Sequence, residues 1–558
     1  MKKILGIIFL LLIFSGNAYA KTAYDVLDEI PVQHNGRIKP FASFSREAAL
    51  NILGSSKFEK INSSELVWQW IANPKAWFSK AFIPVSFKPL QKELGLSVIH
   101  GRISPEIVLG NQVFSKQVET ISGKQSRKET LSLLEKKKLE LYGSALLFQQ
   151  IVNGETPGWL ANPQDPHAGW MPIQGFSSPE GLKTLEAFYP KNLLQVLYVK
   201  FKKLIEILAK PDIAGSEQAV ESAKATRKTL NVLMNAKGIV LDRDVLKAEI
   251  TYDRLHTFSA AGKMYFFAAL FFLLIISRFD KNKFLWSGAV TLYVAAFLFH
   301  AYGFYLRCII AGRPPVSNMY ESLIWVSWAV AFFSLILFSI YRSALIPLAA
   351  SLVASLALCV AESFPAVLDP SITPLVPVLR SNLWLTIHVL TITLSYGAFA
   401  LAWGIGHLAV FGFLFSPEKN EQNNKLSLYV YRAVQIGVVL LAAGTVLGGV
   451  WANYSWGRFW GWDPKETWAL IALLGYLAVL HGRFAGWLGT FGTVVGCVVA
   501  FQGVVMAWYG VNYVLGAGLH SYGFGGGGTA YVVSLCLLDM VVILTAAYIF
   551  KIKTKNTI

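Results

Sequence analysis

Residues 451–468 read WANYSWGRFWGWDPKETW and contain five tryptophans. Apolar runs flank this stretch at 432–451 and 467–483. Because about 20 apolar residues of helix cross a bilayer, we predict a loop that joins two membrane-spanning helices. Tryptophan is mostly buried in proteins, so a cluster of this kind in a loop indicates a flat or apolar object that the loop holds.

The whole chain is as apolar as these flanks suggest. It has 558 residues, of which 54% are hydrophobic, and its mean hydropathy is +0.47. Such a composition excludes an ordinary soluble enzyme and predicts an all-α polytopic membrane protein. We predict about nine transmembrane helices, at 260–278, 284–306, 322–341, 344–363, 386–415, 432–451, 467–483, 487–514 and 529–550.

The N-terminal part differs from the rest. Residues 1–20, MKKILGIIFLLLIFSGNAYA, combine two lysines, a short apolar run and an Ala-Tyr-Ala end. This pattern predicts a cleaved signal peptide, with an uncleaved anchor as the alternative. Residues 21–257 are mixed in polarity and show apolar residues at helical spacing. They are predicted to form a mainly helical extracytoplasmic domain, periplasmic in location, followed by a transmembrane domain at 258–558.

Charged residues between the spans predict the orientation in the inner (cytoplasmic) membrane. If the N-terminal domain is outside, eleven basic residues fall on the cytoplasmic side and four on the other, as the positive-inside rule requires. The outer group is Arg313, Arg380, Arg458 and Lys465. The tryptophan-rich loop then lies on the periplasmic side. The basic excess is thus explained by topology, and no nucleic acid partner is expected.

Histidine is scarce, and its depth in the membrane separates the candidates. His388 stands at the outer end of its span and His520 just beyond the outer end of another, so both flank the tryptophan loop. His481 follows Asp463 by 18 residues, roughly 27 Å deeper at about 1.5 Å per residue. His407 reaches a similar inner depth. Ionisable side chains in a membrane are costly and indicate function, although a lone histidine satisfied by a neighbouring helix is the alternative.

Paired imidazoles, aromatic walls and nearby arginines suit haem. Imidazole binds haem iron axially, indole rings pack on the macrocycle, and Arg458 or Arg380 are candidates to pair with the propionates. A bare metal site would need clustered carboxylates or thiolates, and the four cysteines form no Cys-x-x-Cys motif. An aromatic belt at the membrane surface is the remaining alternative for the tryptophans.

These motifs make the chain similar to a known family. WANYSWGRFWGWDPKETWAL resembles the WWD signature of haem-handling proteins, and GRPPVSNMYES, HVLTITLSYGAF and LHSYG occur with it. Together they resemble the CcsA (ResC) family of System II cytochrome c biogenesis, over about 285–550, rather than its relatives CcmC and CcmF. LDEIPVQHNGRIKPFASFSREA resembles the region that precedes this core in fused CcsB–CcsA proteins, so the chain is similar to their C-terminal part.

The resemblance implies transport of haem b to the outer face and its covalent attachment to the Cys-x-x-Cys-His motif of apocytochrome c. It implies that His388 and His520 are outer axial ligands of the haem iron and that His481 is an inner one. The signature positions are Trp456, Trp460, Trp462 and Asp463. No residue beyond these haem-presenting ones is assigned a catalytic role.

Two questions stay open at this point. The family's second inner histidine belongs to CcsB, so either a CcsB (ResB) type membrane partner supplies that ligand or His407 does. The chain is then a cytochrome c haem lyase together with that partner, or a haem exporter without ligation activity, like CcmC. A membrane cytochrome that transfers electrons is a third possibility, but it would need two well-placed histidines on each of two facing helices.

Overall fold

A computed structural model describes the chain at 22–95, 98–127, 129, 131–163, 169–177, 179–210, 213–236, 241–365, 367–375, 382–416, 420–515 and 528–555. The predicted signal peptide, Arg380 and His520 lie outside these residues. The chain divides into two compact units, Met1–Arg254 and Leu255–Ile558.

The N-terminal unit is mainly helical, as predicted, with short strands that the sequence did not predict. Its helices are Ala23–Leu27, Phe41–Leu53, Ser63–Ala72, Pro74–Ser79, Lys88–Leu94, Pro105–Gly110, Gln112–Ser126, Leu133–Val152, Gln174–Ser177, Pro179–Glu186, Lys191–Leu208, Glu217–Ala236 and Arg243–Leu255. Its strands are β1 Pro31–His34, β2 Arg37–Pro40, β3 Lys57–Phe58, β4 Ile61–Asn62, β5 Ile83–Pro84, β6 Arg102–Ile103, β7 Gly158–Leu160 and β8 Met171–Pro172.

Four of the strands form one antiparallel sheet in the order β2-β1-β7-β8. Strands β1 and β2 pair from Pro31 with Pro40 to His34 with Arg37, across a two-residue turn. Asn35 and Gly36 in that turn have φ of 51° and 72°. Asn-Gly is the sequence favoured where both central residues need positive φ, so local chemistry explains this hairpin.

Aromatic packing and buried ion pairs hold this unit together. Trp68 and Trp159 are fully buried beside Phe41, with ring centroids 5.0 and 5.3 Å from its ring. Arg37 donates to both carboxylate oxygens of Glu249, at 2.6 and 2.7 Å. Because this bidentate pair is largely buried, the hairpin is anchored firmly on the helix Arg243–Leu255.

The second unit confirms an all-α polytopic membrane protein. In the described part of the chain, nine helices are long and apolar enough to cross a membrane. We number them spans 1–9: Arg243–Ser277, Lys283–Ala311, Met319–Tyr341, Leu345–Ser363, Thr386–Phe415, Glu421–Trp456, Pro464–Phe484, Thr490–Leu515 and Thr529–Lys553. All nine overlap the predicted segments, although span 6 begins about three turns earlier than predicted.

The loop within the tryptophan-rich stretch is shorter than the sequence predicted. Span 6 continues as helix to Trp456, and span 7 begins at Pro464. Only Gly457–Asp463 therefore connects the two helices, because the last two turns of span 6 carry the first two tryptophans of the stretch.

Spans 5 and 8 depart from regular α-helix at one end. Leu385–Val389, at the start of span 5, and Met506–Leu515, at the end of span 8, are π-helical. Such wide turns are rare in proteins and are frequent at functional sites. Both segments line the same cavity, described next.

Candidate functional site

A cavity of about 470 Å³ lies within the membrane unit. This volume falls in the range of about 300–1,000 Å³ that small-molecule and cofactor sites occupy. Its walls come from the 316–322 and 367–373 regions, spans 5–8 and the connection between spans 6 and 7. They include Asn318, Met319, Ser322, Asp369, Thr373, His388, Ile392, Tyr396, Thr445, Gly448, Gly449, Trp451, Phe459, Trp460, Lys465, Glu466, Trp508, Asn512 and Tyr513.

His388 is the histidine of this cavity. Its Nδ1 lies 2.8 Å from the carbonyl oxygen of Gly444 in span 6. Since a carbonyl only accepts, Nδ1 carries the proton, and Nε2 has the lone pair that can bind iron. A hydrogen bond of this kind is the usual means by which a protein fixes the orientation of a metal-binding imidazole.

A glycine in span 6 makes room for this imidazole. A Cβ atom on Gly448 would lie 2.6 Å from Cε1 of His388. That is well below a normal contact, so the ring occupies the space that a side chain would fill. Neighbouring Gly449 plays the same part for Phe459, whose Cζ a Cβ would approach to 2.6 Å.

Aromatic rings lie beside His388 and along the cavity. The Trp451 ring lies 5.6 Å from the imidazole, and Trp384 stacks on Trp451 at 6.4 Å with 9° between the planes. Phe459, Trp460 and Trp508 add further aromatic surface to the cavity. These walls suit a broad, flat, largely apolar ligand.

The predicted signature tryptophans differ in whether they line the cavity. Trp460 lines the cavity, and its ring meets that of Trp462 edge to face at 5.9 Å. Trp462 is 70% exposed and has a positive φ of 56°. Trp456 lies near Arg458, whose guanidinium carbon is 5.9 Å from the centre of the indole. Among the described lining residues only His388 and Trp460 come from the predicted set.

Asp463 has a structural role that the sequence analysis did not assign to it. It is the N-cap of span 7 and accepts a hydrogen bond from the backbone N–H of Lys465 at 3.0 Å. Glu466 completes the capping box by accepting from the N–H of Asp463 at 3.2 Å and from that of Gly461 at 2.8 Å. The two carboxylates thus fix the bend that presents Phe459 and Trp460 to the cavity.

A buried ion cluster supports the part of the wall formed by the 316–322 and 367–373 regions. Glu321, in the first turn of span 3, bonds Arg307 at 2.7 Å and Arg313 at 3.0 Å. The hydroxyl of Ser317 donates to the same carboxylate at 2.8 Å. All three charged groups are almost completely buried.

The same arginines also hold the 367–373 region. Arg307 donates to the carbonyl of Pro370 at 3.0 Å, and Arg313 donates to that of Thr373 at 3.2 Å. Trp508 joins span 8 to this wall by donating to the hydroxyl of Ser322 at 2.8 Å. The cluster thereby holds two lining segments together, and the Trp508–Ser322 hydrogen bond attaches span 8 to them.

The two histidines predicted to lie near the inner face, His481 and His407, differ in their bonding. His481 is exposed near the end of span 7, and its Nδ1 lies 2.7 Å from the carbonyl of Leu477. By the argument used for His388, its Nε2 carries the lone pair. In His407, Nδ1 lies 2.9 Å from the carbonyl of Trp403, and Nε2 is bonded to Asp539 at 2.8 Å. The nitrogen that His407 would offer to iron is therefore engaged with span 9.

A bare metal site has no support in the described residues. No group of three or more His, Cys, Asp or Glu side chains there is placed to hold a metal ion. The cavity around His388 instead combines one imidazole with extensive aromatic surface.

The part of the chain that resembles known proteins includes the cavity. Residues 316–520 match the family model of cytochrome c assembly proteins, and every described lining residue lies within that range. Protein NrfI of Wolinella succinogenes is 30% identical over 511 residues, which cover 88% of this chain and 53% of NrfI. The chain thus spans about half the length of that relative, and the match extends into the N-terminal unit.

CcsA proteins match less than half of this chain but most of their own length. The cytochrome c biogenesis protein CcsA of Synechococcus sp. (strain CC9311) is 35% identical over 303 residues, 47% of this chain and 96% of that protein. CcsA of Prochlorococcus marinus (strain NATL2A) is 35% identical over 254 residues, 39% of this chain and 79% of that protein. The chain therefore belongs to the CcsA family of cytochrome c biogenesis proteins.

Proposed function

We propose that this protein carries haem b to the outer face of the cytoplasmic membrane and presents it there for covalent attachment to apocytochrome c. The observation that supports this most directly is His388, held by a backbone carbonyl inside a cavity with aromatic walls. His388 is proposed as one axial ligand of the haem iron. His520, which is outside the described residues, is proposed as the other by its resemblance to the family motif.

Attachment is an addition reaction without net oxidation. Each cysteine thiol of the Cys-x-x-Cys-His motif adds across a haem vinyl group. The sulfur bonds to the vinyl carbon next to the ring, and the thiol proton ends on the terminal carbon. Such a reaction depends mainly on holding the vinyl groups near the thiols, so the protein contributes proximity and orientation. The histidine of the apocytochrome then replaces an axial ligand, which releases the product.

Haem is proposed to enter at an inner site that includes His481. The exposed position of His481 and its Nδ1 hydrogen bond support a ligand role. The second inner ligand is assigned to a CcsB-type membrane partner, because Nε2 of His407 is bonded to Asp539. Ligation activity, as a cytochrome c haem lyase, would belong to the complex of the two proteins.

The proposed topology places both the N-terminal domain, 21–257, and the Gly457–Asp463 connection on the periplasmic side. The first 20 residues would act as the signal peptide that exports this domain. The domain is proposed to dock the apocytochrome or the CcsB-type partner.

Reconstitution tests ligation against simple delivery. The chain is purified with and without a CcsB-type partner, haem is added, and its absorption spectrum is recorded before an apocytochrome is supplied. We expect covalent cytochrome only when the partner is present. Haem that binds but never becomes covalently attached, even with the partner, would leave haem export without ligation as the function.

A further inference from the structure

Lys465 is the basic residue of the cavity wall. Among the described lining residues, it is the one lysine or arginine, and Asp369 and Glu466 carry the carboxylates. Glu466 is already committed to the capping box, where it accepts two backbone N–H groups. Lys465 therefore differs from the acidic lining residue next to it, because its charge is available to a ligand.

The position of Lys465 is fixed by its backbone. It is the second residue of span 7, after Pro464, and its N–H donates to Asp463. The Asp463 carboxylate attracts the Lys465 ammonium electrostatically. In the described part of the chain, however, no hydrogen bond or ion pair to the Lys465 ammonium is formed. A partly buried ammonium that lacks a hydrogen-bonded partner is costly, and an anionic ligand would remove that cost.

Arg458 is the other basic residue near this wall, and the sequence predicted it as a candidate partner for the propionates. Its surroundings differ from those of Lys465. Its Nη1 lies 3.8 Å from Glu466, and its guanidinium faces the Trp456 ring. It is absent from the described cavity lining. Its charge is thus directed to the connection between spans 6 and 7 rather than to the ligand.

We propose that Lys465 recognises a carboxylate group of the ligand in this cavity and thereby determines the ligand's orientation. The ligand class is a flat macrocycle that carries acidic side chains, which rests on the proposed haem function. Haem bears its two propionates on one edge and its vinyl groups elsewhere on the ring. An ion pair at Lys465 directs the propionate edge toward span 7 and turns the vinyl groups away from Lys465.

The test compares porphyrins with and without free carboxylates. Full-length protein in detergent is titrated with iron(III) protoporphyrin IX, its dimethyl ester and metal-free protoporphyrin IX, by Soret absorbance and tryptophan fluorescence quenching. We expect the wild type to prefer the free acid over the ester by about tenfold, the value of one charge-assisted hydrogen bond. Lys465→Met should lose that preference by weakening binding of the acid alone, and Lys465→Arg should retain it.

Matched variants make the result specific. Lys425→Met removes an exposed lysine that pairs with Glu421 on span 6, and it should keep the wild-type preference. Arg458→Met should keep it too. The proposal is overturned if Lys465→Met still prefers the acid, or if Arg458→Met loses the preference instead. If the wild type binds none of the porphyrins, the proposed haem function fails, which is a distinct outcome.

Discussion

At the scale of single residues, the position of the His388 imidazole depends on Gly448 of span 6, because glycine has no side chain to occupy the space of the ring. Gly448→Ala would place a methyl group 2.6 Å from Cε1 of His388, so the ring must move. Overpacking of this kind costs about 1–3 kcal/mol, and we expect iron(III) protoporphyrin IX affinity to fall by roughly five- to 150-fold. Titration of the purified variant measures this.

Gly475→Ala on span 7 is the matched control. A Cβ there would lie 3.9 Å from its nearest neighbour, Cβ of Ala500, which is an ordinary contact. Its affinity should equal that of the wild type. An unchanged affinity in Gly448→Ala would show that the position of His388 does not govern ligand binding.

His388 and His520 provide a direct test of ligation. His388→Ala and His520→Ala should each shift the haem spectrum and weaken binding by at least about tenfold, since each removes a proposed iron ligand. Added imidazole should partly restore both spectra, because it fits the space left by the side chain. Unchanged spectra in both variants would refute the ligand assignment.

Part of this residue-level detail could be predicted. The scarcity of histidine and the positions of the spans were enough to place His388 beside the tryptophan-rich stretch, and it lines the same cavity as Trp451 and Trp460. The supporting residues Gly444, Gly448 and Trp384 were missed, because their roles depend on how spans 5 and 6 pack. The run GTVLGG within a predicted span was the available signal, since several glycines on one helix indicate close approach of another element.

At the scale of elements, the buried cluster around Glu321 decides whether the cavity wall forms. Glu321→Gln leaves two buried arginines without their shared carboxylate. Removing one partner of a buried ion pair costs about 3–5 kcal/mol. We therefore expect a clear loss of thermal stability in detergent and a loss of porphyrin binding with it.

Glu421→Gln serves as the comparison for that experiment. Glu421 forms an exposed i,i+4 pair with Lys425 on span 6, and exposed helix pairs contribute about 0.3–0.5 kcal/mol. Its unfolding temperature should stay close to that of the wild type. Equal unfolding temperatures for the two variants would mean that the Glu321 cluster does not stabilise the wall.

Helix existence was easier to predict than helix ends. Length and hydropathy located all nine spans because a bilayer sets the length of a helix. The extension of span 6 to Trp456 was missed, since the tryptophan-rich sequence from Trp451 onward was predicted to be a loop. The π-helical segments and the small sheet were missed as well, because tertiary packing, rather than local propensity, determines them.

At the scale of the whole molecule, the proposed topology makes opposite predictions for the two ends of span 7. Trp462 and Trp487 are 70% and 83% exposed and flank that span. In a variant without the four native cysteines, Trp462→Cys should react with a membrane-impermeant maleimide from outside the cell. Trp487→Cys should react only after the membrane is permeabilised.

The cysteine-free parent, which should remain unlabelled, controls for background. Labelling of both positions from the outside would mean that span 7 does not cross the membrane. The orientation inferred from the positive-inside rule would then have to be abandoned.

The two π-helical segments have a consequence for how this cavity can change through single insertions or deletions. Each wide turn accommodates one residue more than an α-helix would, and one residue corresponds to about 100° of rotation. Deleting Ala507 from Met506–Leu515 would shorten this π-helical run toward regular α-helix and rotate Trp508 and the residues after it relative to the start of span 8. Circular dichroism should then report intact helix while porphyrin binding is lost. The geometry of the cavity thus depends partly on the number of residues in these two helices. Scans that only substitute residues would not detect this dependence.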